Sequence, residues 1–524
     1  MLVTPKSQKS KLGCQTCKIR RVKCGEEKPA CIRCTRTGRT CEYRGQSSIS
    51  IASNPLPSLP NTVWRERRAF AYYFQQAAPS VSGGLDNVFW QTIVPQICRS
   101  EPAVWDAMIS LSALLESPEP GPDQNQRDAL GWYSRAVSSV RQGIERGRVD
   151  IFVGLISCMI FISVEALQGS TDVALRLYQQ GVHLIRELRL RVAHKGISAL
   201  QASWLEDTIV PIFDRLGTVA LSVSGIPVSA LLRDTDRASL REFPSLKFAR
   251  ETMILLAGET RIFQLNYEEH ISNPLDPGVP TAAELLNQQV TLLQGLQNWD
   301  SAFSRLMNHL ETAGISPQEF GTAASLSTYY EMHLIILETG LSSLQTATDP
   351  YLPNFQNIVF QSRIALNASA GPDGTQPPFT FDIGVVLPLW FTCLRCRDPT
   401  TRREAAALIR QAPQVQGVHK TASIATLAEK IIAYEETKAT PLAASQDAFV
   451  EPLSRPNDST ADLIPEEARV GPIGVYRAGE NVPTERGDCD QKSSGQTILQ
   501  FSRNERDRGT GDWRVVRDLV PVDF

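Results

Sequence analysis

The sequence predicts a small, cysteine-organised N-terminal domain followed by a mainly all-α domain with a small C-terminal β-hairpin, and three observations predict it. Six of the 11 cysteines fall between Cys14 and Cys41. From Trp64 to Glu436 the chain is a succession of amphipathic segments of about 10 to 20 residues, broken by Pro and Gly turns, with little period-2 alternation. Two short alternating runs, Thr497 to Phe501 and Trp513 to Val516, flank the polar, Gly-containing ERDRGTGD. At 524 residues the chain exceeds one compact core, and 42% hydrophobic against 21% charged residues excludes disorder along most of its length. The net charge of −3 hides an asymmetry: residues 1–45 carry 12 Lys and Arg against 3 Asp and Glu, the remainder 41 against 53. The N-terminal end is built for a polyanion.

The first element is the cysteine block, Cys14-x2-Cys17-x6-Cys24-x6-Cys31-x2-Cys34-x6-Cys41. It is one three-cysteine unit written twice. The x2 pair lets two thiolates converge from one helical turn, and the third arrives after a short excursion. Three thiolates do not complete a tetrahedral zinc site, so six close on two Zn2+ ions that share two bridging sulfurs. A segment this poor in large apolar residues cannot fold on its own core, and metal must supply the stability, roughly 10 to 16 kcal/mol for structural zinc. A disulfide knot would need secretion, and MLVTPKSQKSKLG has no signal-peptide h-region. With every ligand a cysteine there is no open position for water or substrate, which argues against catalytic zinc. Treble-clef and RING-type folds usually want eight ligands; here there are six and no nearby His.

Between Cys17 and Cys24 stand Lys18, Ile19, Arg20, Arg21, Val22 and Lys23, four cations in a six-residue arc expected to be mostly helical. Arg can bond guanine O6 and N7 in the major groove, and Lys serves phosphate as a point charge. Nucleic acid is the partner this predicts.

The run CQTCKIRRVKCGEEKPACIRCTRTGRTC, with Pro29 between its halves, resembles the fungal six-cysteine binuclear zinc cluster transcription factors. The resemblance implies that Cys14 and Cys31 bridge the zincs, Cys17 and Cys24 completing one site and Cys34 and Cys41 the other. It implies double-stranded DNA with CGG triplets as target, Arg20 and Arg21 at base-reading positions, and Lys18 and Lys23 on phosphate. WRERRAFAYYFQQAAPSVSGGLDNVFWQTIVPQICRSEPAVWDAMISLSALLES, PIFDRLG, LPLWFTCLRCRDPTTRREAAALI, AYEETK and IPEEARV are similar to landmarks of the helical regulatory domain found in many such proteins.

Residues 46–63, uncharged until they end and rich in Ser, Pro and Asn, read as a linker. They contain three prolines and no heptads, so the coiled coil that often follows the cluster in this family is not expected; either a homodimer forms through the helical domain, or the protein binds single triplets with help. Residues 64–436 form the all-α domain, with helices over Arg65 to Gln76, Val104 to Glu116, Gln126 to Arg146, Ile151 to Gln168, Asp172 to Leu188 and Ala283 to Leu296. No motif recurs at a solenoid period. The longest apolar run, Ile151 to Val164, is short of the roughly 20 residues of a membrane span and reads as a core helix. Phe70, Tyr72, Tyr73 and Phe74 could stack on single-stranded nucleic acid, but their spacing fits core packing. Cys393-x2-Cys396 lacks a second pair and reads as core or interface thiols. His183, His194, His270, His309, His333 and His419 share no metal or catalytic spacing, and no Walker, Rossmann or G-x-S-x-G motif is present, so no enzyme is expected. Residues 437–524 read as partly disordered, ending in the hairpin.

The sequence thus points to a nuclear, zinc-dependent, sequence-specific transcription factor acting with the transcription machinery, an activator of a secondary-metabolite gene cluster on the strength of the resemblance. The alternative is a ligand-sensing or protein-interaction regulator of primary or catabolic metabolism whose DNA binding is conditional; an apolar pocket lined by the Ile151 to Leu167 helix would favour it. Lys6, Lys9 and Lys11 with the basic arc could also serve nuclear import.

Overall fold

The computed structural model describes residues 13–41 except 28–29, and 64–522 except 118–123, 148–149, 194–195, 225–241, 274–275, 277, 447–463, 472, 477–496 and 508. The lysines at 6, 9 and 11 and the linker at 46–63 lie outside the described residues. The chain divides into two compact units, residues 1–62 and 63–524.

The first unit holds two one-turn helices, α1 (Gln15–Ile19) and α2 (Ile32–Thr35). Among its described residues the only buried side chains of any apolar character are cysteines, with Val22 partly buried against them. That is a core too small to stand without metal.

The second unit is helical around two cores. The first is built by α3 (Trp64–Tyr72), α4 (Ala78–Ser82), α5 (Val94–Ile97), α6 (Pro102–Glu116), α7 (Gln124–Glu145), α8 (Ile151–Gln168), α9 (Thr171–Ala193), α10 (Ala199–Trp204) and α11 (Val210–Ser224). The expected helices recur here with small shifts, α8 at its predicted bounds. Asp150 caps α8 through the Phe152 N–H at 2.9 Å, and Gly169 ends it in the left-handed conformation. Phe152, Leu155, Ile156, Met159 and Ile160 are fully buried, which makes α8 the centre of this core. Ser110 and Ser112 of α6 bond the Ala129 and Ala69 carbonyls at 2.8 and 2.5 Å, fixing α7 and α3 against it. Most of the aromatic stretch packs inward: Phe70 stacks on Trp105, and the buried Tyr73 hydroxyl donates to the Trp90 carbonyl at 2.7 Å, whereas Phe74, expected in the core, is 38% exposed.

The second core is formed by α12 (Leu246–Ser272), α13 (Ala282–Ala313), α14 (Pro317–Thr339), α15 (Leu352–Ser369), α16 (Val386–Arg395), α17 (Pro399–Gln411) and α18 (Thr421–Gln446). Capping boxes Thr281/Glu284 and Ser316/Glu319 start α13 and α14. Helix α13 runs to Ala313, well past the expected Leu296, because Trp299, Phe303 and Leu306 continue its buried face. Gly321 lets α14 approach α15, where a Cβ would stand 2.3 Å from that of Ala368. Cys393 and Cys396 are core thiols, and burial raises them to about 12 and about 11. A minimal sheet of β1 (Phe379–Thr380), β2 (Val415–Gln416) and β3 (His419–Lys420) carries Phe379 and Val415 back into the first core.

A buried ionic chain joins the two cores. Asp86 accepts from Arg215 and, at 2.9 Å, from Arg250, which also reaches Asp382 at 3.1 Å. Burial alone would raise the Asp86 carboxyl; the two guanidiniums hold it below its ordinary value.

Helix α18 runs to Gln446, ten residues beyond the expected end of the helical domain. Thereafter β4 (Ile473–Tyr476), β5 (Thr497–Arg506) and β6 (Trp513–Val522) form an antiparallel meander, in which β5 and β6 are the expected hairpin and β4 was not anticipated. Leu499 and Phe501 bury against Leu427 and Ile431 of α18. The segment is also clamped by charge. Glu435 (α18) accepts from Arg397, Arg402 and the Val470 N–H, each at 2.7 Å. Arg469 forks onto Asp349 at 2.6 and 2.8 Å, and Glu466 accepts from the Gln345 and Thr346 N–H groups at 2.8 Å each.

Candidate metal centre and nucleic-acid interface

The two halves of the first unit repeat several of each other's backbone bonds. Cys14 and Cys31 each precede a helix as its N-cap. The Cys14 N–H donates to Cys24 Sγ at 3.3 Å, and its counterpart Cys31 N–H donates to Cys41 Sγ at 3.2 Å. Val22 N–H bonds the Cys17 carbonyl at 3.1 Å as Arg39 N–H bonds that of Cys34 at 3.0 Å. These matched turns bring the six sulfurs together.

The sulfurs fall into two sets of four, Cys14, Cys17, Cys24 and Cys31, and Cys14, Cys31, Cys34 and Cys41, each within 4.8 Å of one another. Cys14 and Cys31 belong to both. A tetrahedral zinc with Zn–S bonds near 2.3 Å needs S···S edges of about 3.8 Å. The shared edge Cys14–Cys31 is 3.7 Å, Cys17–Cys31 is 3.6 Å and Cys14–Cys34 is 3.7 Å. The donor set therefore fits two zincs with two common ligands. Burial opposes thiolate formation at Cys31, yet hydrogen bonds from the Cys34 N–H and neighbouring thiols bring it down to about 6; Cys14 is lowered too, despite its burial, and Cys17 and Cys34 are raised chiefly by burial.

The basic arc is not the expected helix. Helix α1 ends at Ile19, Arg20 is its C-cap, and Arg21 takes the left-handed conformation with φ 55°. Its counterpart seven residues after Cys31 is Gly38, with φ 64°. The turn that returns the chain to the third cysteine demands this conformation in both halves, and in the first an Arg accepts the strain. Lys18, Arg21 and Lys23 are exposed; Arg20 is half-buried and donates to Thr37 Oγ1 of the other half at 3.3 Å. Exposed Arg33, Arg36 and Arg39 surround the second turn. Sequence reasoning passed over these three, because the repeat places Thr35, Thr37, Gly38 and Thr40 at the counterparts of Lys18, Arg20, Arg21 and Lys23 and gave no spacing signal for them. Two Zn2+ and six thiolates leave −2, so the surrounding cations still dominate the field of this small unit.

In the second unit a cleft of about 900 Å³ opens beside the ionic chain, lined by Gly83, Gly84, Gln318, Asp373, Asp382 and Gln416 among others. Helix α8 does not line it.

Residues 12–50 match the fungal Zn(2)-Cys(6) binuclear cluster domain, and residues 68–357 match the fungal specific transcription factor domain. The chain is similar to the aspercryptin biosynthesis cluster-specific transcription regulator atnN of Emericella nidulans, 23% identical over 605 aligned positions covering 90% of this chain and 93% of that one. It is also similar to transcription regulator lscL of Purpureocillium lilacinum, 22% identical, covering 62% and 86% respectively. Transcriptional regulatory protein moc3 of Schizosaccharomyces pombe is 53% identical over 56 residues, 11% of each chain. No solved structure matches.

Proposed function

The chain belongs to the fungal specific transcription factors, with a zinc cluster that binds two structural Zn2+ ions and no enzymatic role, and from that premise we propose that it activates a secondary-metabolite gene cluster from CGG triplets in nuclear DNA. The observation that carries the DNA-reading part is Arg21. A non-glycine residue in the left-handed region is retained where its symmetry mate is Gly38, and a strained, exposed Arg on a metal-held turn is a side chain kept for contact with a partner. In this reading Arg20 and Arg21 contact base edges, Arg20 exchanging its bond to Thr37 for one to DNA, while Lys18 and Lys23 hold phosphates. Cys14 and Cys31 bridge the zincs, Cys17 with Cys24 and Cys34 with Cys41 completing them. The domain bounds in this reading are 1–45 for the reader, 46–63 for the linker, 64–436 for the helical domain and 437–524 for the C-terminal segment.

The pathway assignment rests on similarity to atnN, whose name ties it to one biosynthetic cluster. The test is genome-wide occupancy of the tagged protein in its own host. Enrichment of CGG triplets beside a compact set of biosynthetic genes is expected, with those transcripts falling on deletion; bound sites without a CGG-related motif would overturn the assignment of the reader. A second reading, DNA binding conditional on a small molecule, is favoured by the cleft beside Asp382, although not by α8, whose surroundings are filled.

A further inference from the structure

Helix α7 carries a second apolar stripe that the described residues of the body leave exposed. Its inward face, Ala129, Trp132 and Ala136, is buried in the first core. On the shoulder of the same helix Leu130, Val137 and Ile144 are 39%, 39% and 63% exposed. Single apolar side chains on a surface are ordinary. These three are seven residues apart, and a seven-residue apolar repeat keeps one seam of a helix against another helix, because it sets the period at 3.5. Gly131, Ser134 and Ser138 flank the seam with little bulk, and a Cβ on Gly131 would meet nothing within 4 Å.

We propose that this face is a self-association surface, on which two copies of the chain pair their α7 helices antiparallel about a twofold axis through Val137. The charges select both the partner and the direction. In the antiparallel pair Leu130 meets the second copy's Ile144, Val137 meets its own mate, and Tyr133 meets Val140. At 100° per residue Arg127 and Glu145 lie on the same flank of the helix, so the twofold axis brings Arg127 opposite the second copy's Glu145 at both ends. Arg141, already paired with Glu145 at 3.0 Å, joins that cluster and faces the small Ser134. A parallel pair would instead leave Arg127 and the second copy's Glu145 about 27 Å apart along the axis, with no such pairing. The surface serves a protein whose linker lacks heptads, but it stands on the helix face alone and does not depend on what the zinc cluster reads. One helix pair about 33 Å long is small beside a stable dimer interface, so the association is weak and rises with concentration.

The experiment is sedimentation velocity on the full zinc-loaded chain from about 1 to 100 µM, with wild type beside Val137→Glu. Val137 is solvent-exposed, so the variant should keep the wild-type circular dichroism and melting curve while losing the concentration-dependent rise in sedimentation coefficient. Cysteine cross-linking fixes the register against the wild-type background. Val137→Cys should form an interchain disulfide on mild oxidation, and the double Leu130→Cys/Ile144→Cys variant should do the same. Leu130→Cys alone should not, since its mate lies about 21 Å along the axis. A wild type that stays monomeric throughout, leaving the stripe to a different protein, overturns the proposal. So does a dimer indifferent to Val137→Glu, or Leu130→Cys cross-linking to itself as readily as Val137→Cys.

Discussion

Arg21 separates stability from recognition, and two substitutions at that one position should move the two properties independently. Its φ of 55° costs a side-chain-bearing residue about 1 to 2 kcal/mol, a penalty glycine does not carry. Glycine also loses more backbone entropy on folding, about 0.5 to 1 kcal/mol, so Arg21→Gly should leave the cluster as stable or more so by up to about 1.5 kcal/mol. Arg21→Ala keeps the strain and should be no more stable than wild type. Both remove the guanidinium, and the loss of a bidentate guanine contact, about 1 to 3 kcal/mol, should weaken binding to a CGG duplex by about 5- to 150-fold while relaxing discrimination at one base. Neither should change the salt slope much if the contact is to a base; Lys23→Ala should lower the slope by about one and weaken all sequences alike. Zinc retention against a chelator reads the first property and fluorescence anisotropy on matched and mismatched duplexes the second. If Arg21→Gly released zinc more readily than Arg21→Ala, or if both bound the triplet like wild type, the reasoning from strain to contact would be refuted.

Cys31→Ser removes a thiol common to both sulfur sets, so metal analysis should find both zincs lost, whereas Cys24→Ser, which touches one set, should retain tighter binding at the other; two zincs retained in Cys31→Ser would contradict the sharing. Glu435→Gln leaves Arg397 and Arg402 buried without their carboxylate, a loss of about 3 to 5 kcal/mol. It should appear as faster amide exchange in β5 before the rest of the body opens, and unchanged β5 protection would count against the clamp. His333 is buried with neither ring nitrogen bonded, and burial lowers it to about 4. The unfolded chain binds that proton near pH 6.5 and the folded chain does not. Stability is therefore complete above pH 6.5 and falls by up to about 3 kcal/mol as the pH drops towards 4. His333→Met should flatten that part of the denaturant-midpoint profile, and a profile identical to wild type would remove His333 as its cause.

The cysteine block was legible because metal coordination is local: six ligands within 28 residues dictate their own geometry, and spacing alone carries it. What spacing did not carry was the turn at Arg21, since a short x6 excursion is compatible with helix until the third sulfur's direction is known. Helices α6 and α8 were legible from apolar period and from Asp150 and Gly169 at their ends. Strand β4 was not, because Ile473 to Tyr476 gains its identity only from pairing with Ile498 to Phe501. The least legible feature was charge. Nothing in the sequence marks Arg215, Arg397, Arg402, Glu435, Glu466 and Arg469 as interior, yet they are buried, and their partners lie as far as 129 residues away. PIFDRLG supplies Arg215 to the chain between the cores, while LPLWFTCLRCRDPTTRREAAALI, AYEETK and IPEEARV supply Arg397 and Arg402, Glu435, and Glu466 with Arg469 to the clamp on the C-terminal segment. An isolated buried ion is ruinous and a matched set is tolerable, so each of these residues constrains the others. The five motifs that resembled a family as separate strings, the first of which carries Asp86, meet in the folded chain at the two places where its helical body is locked together.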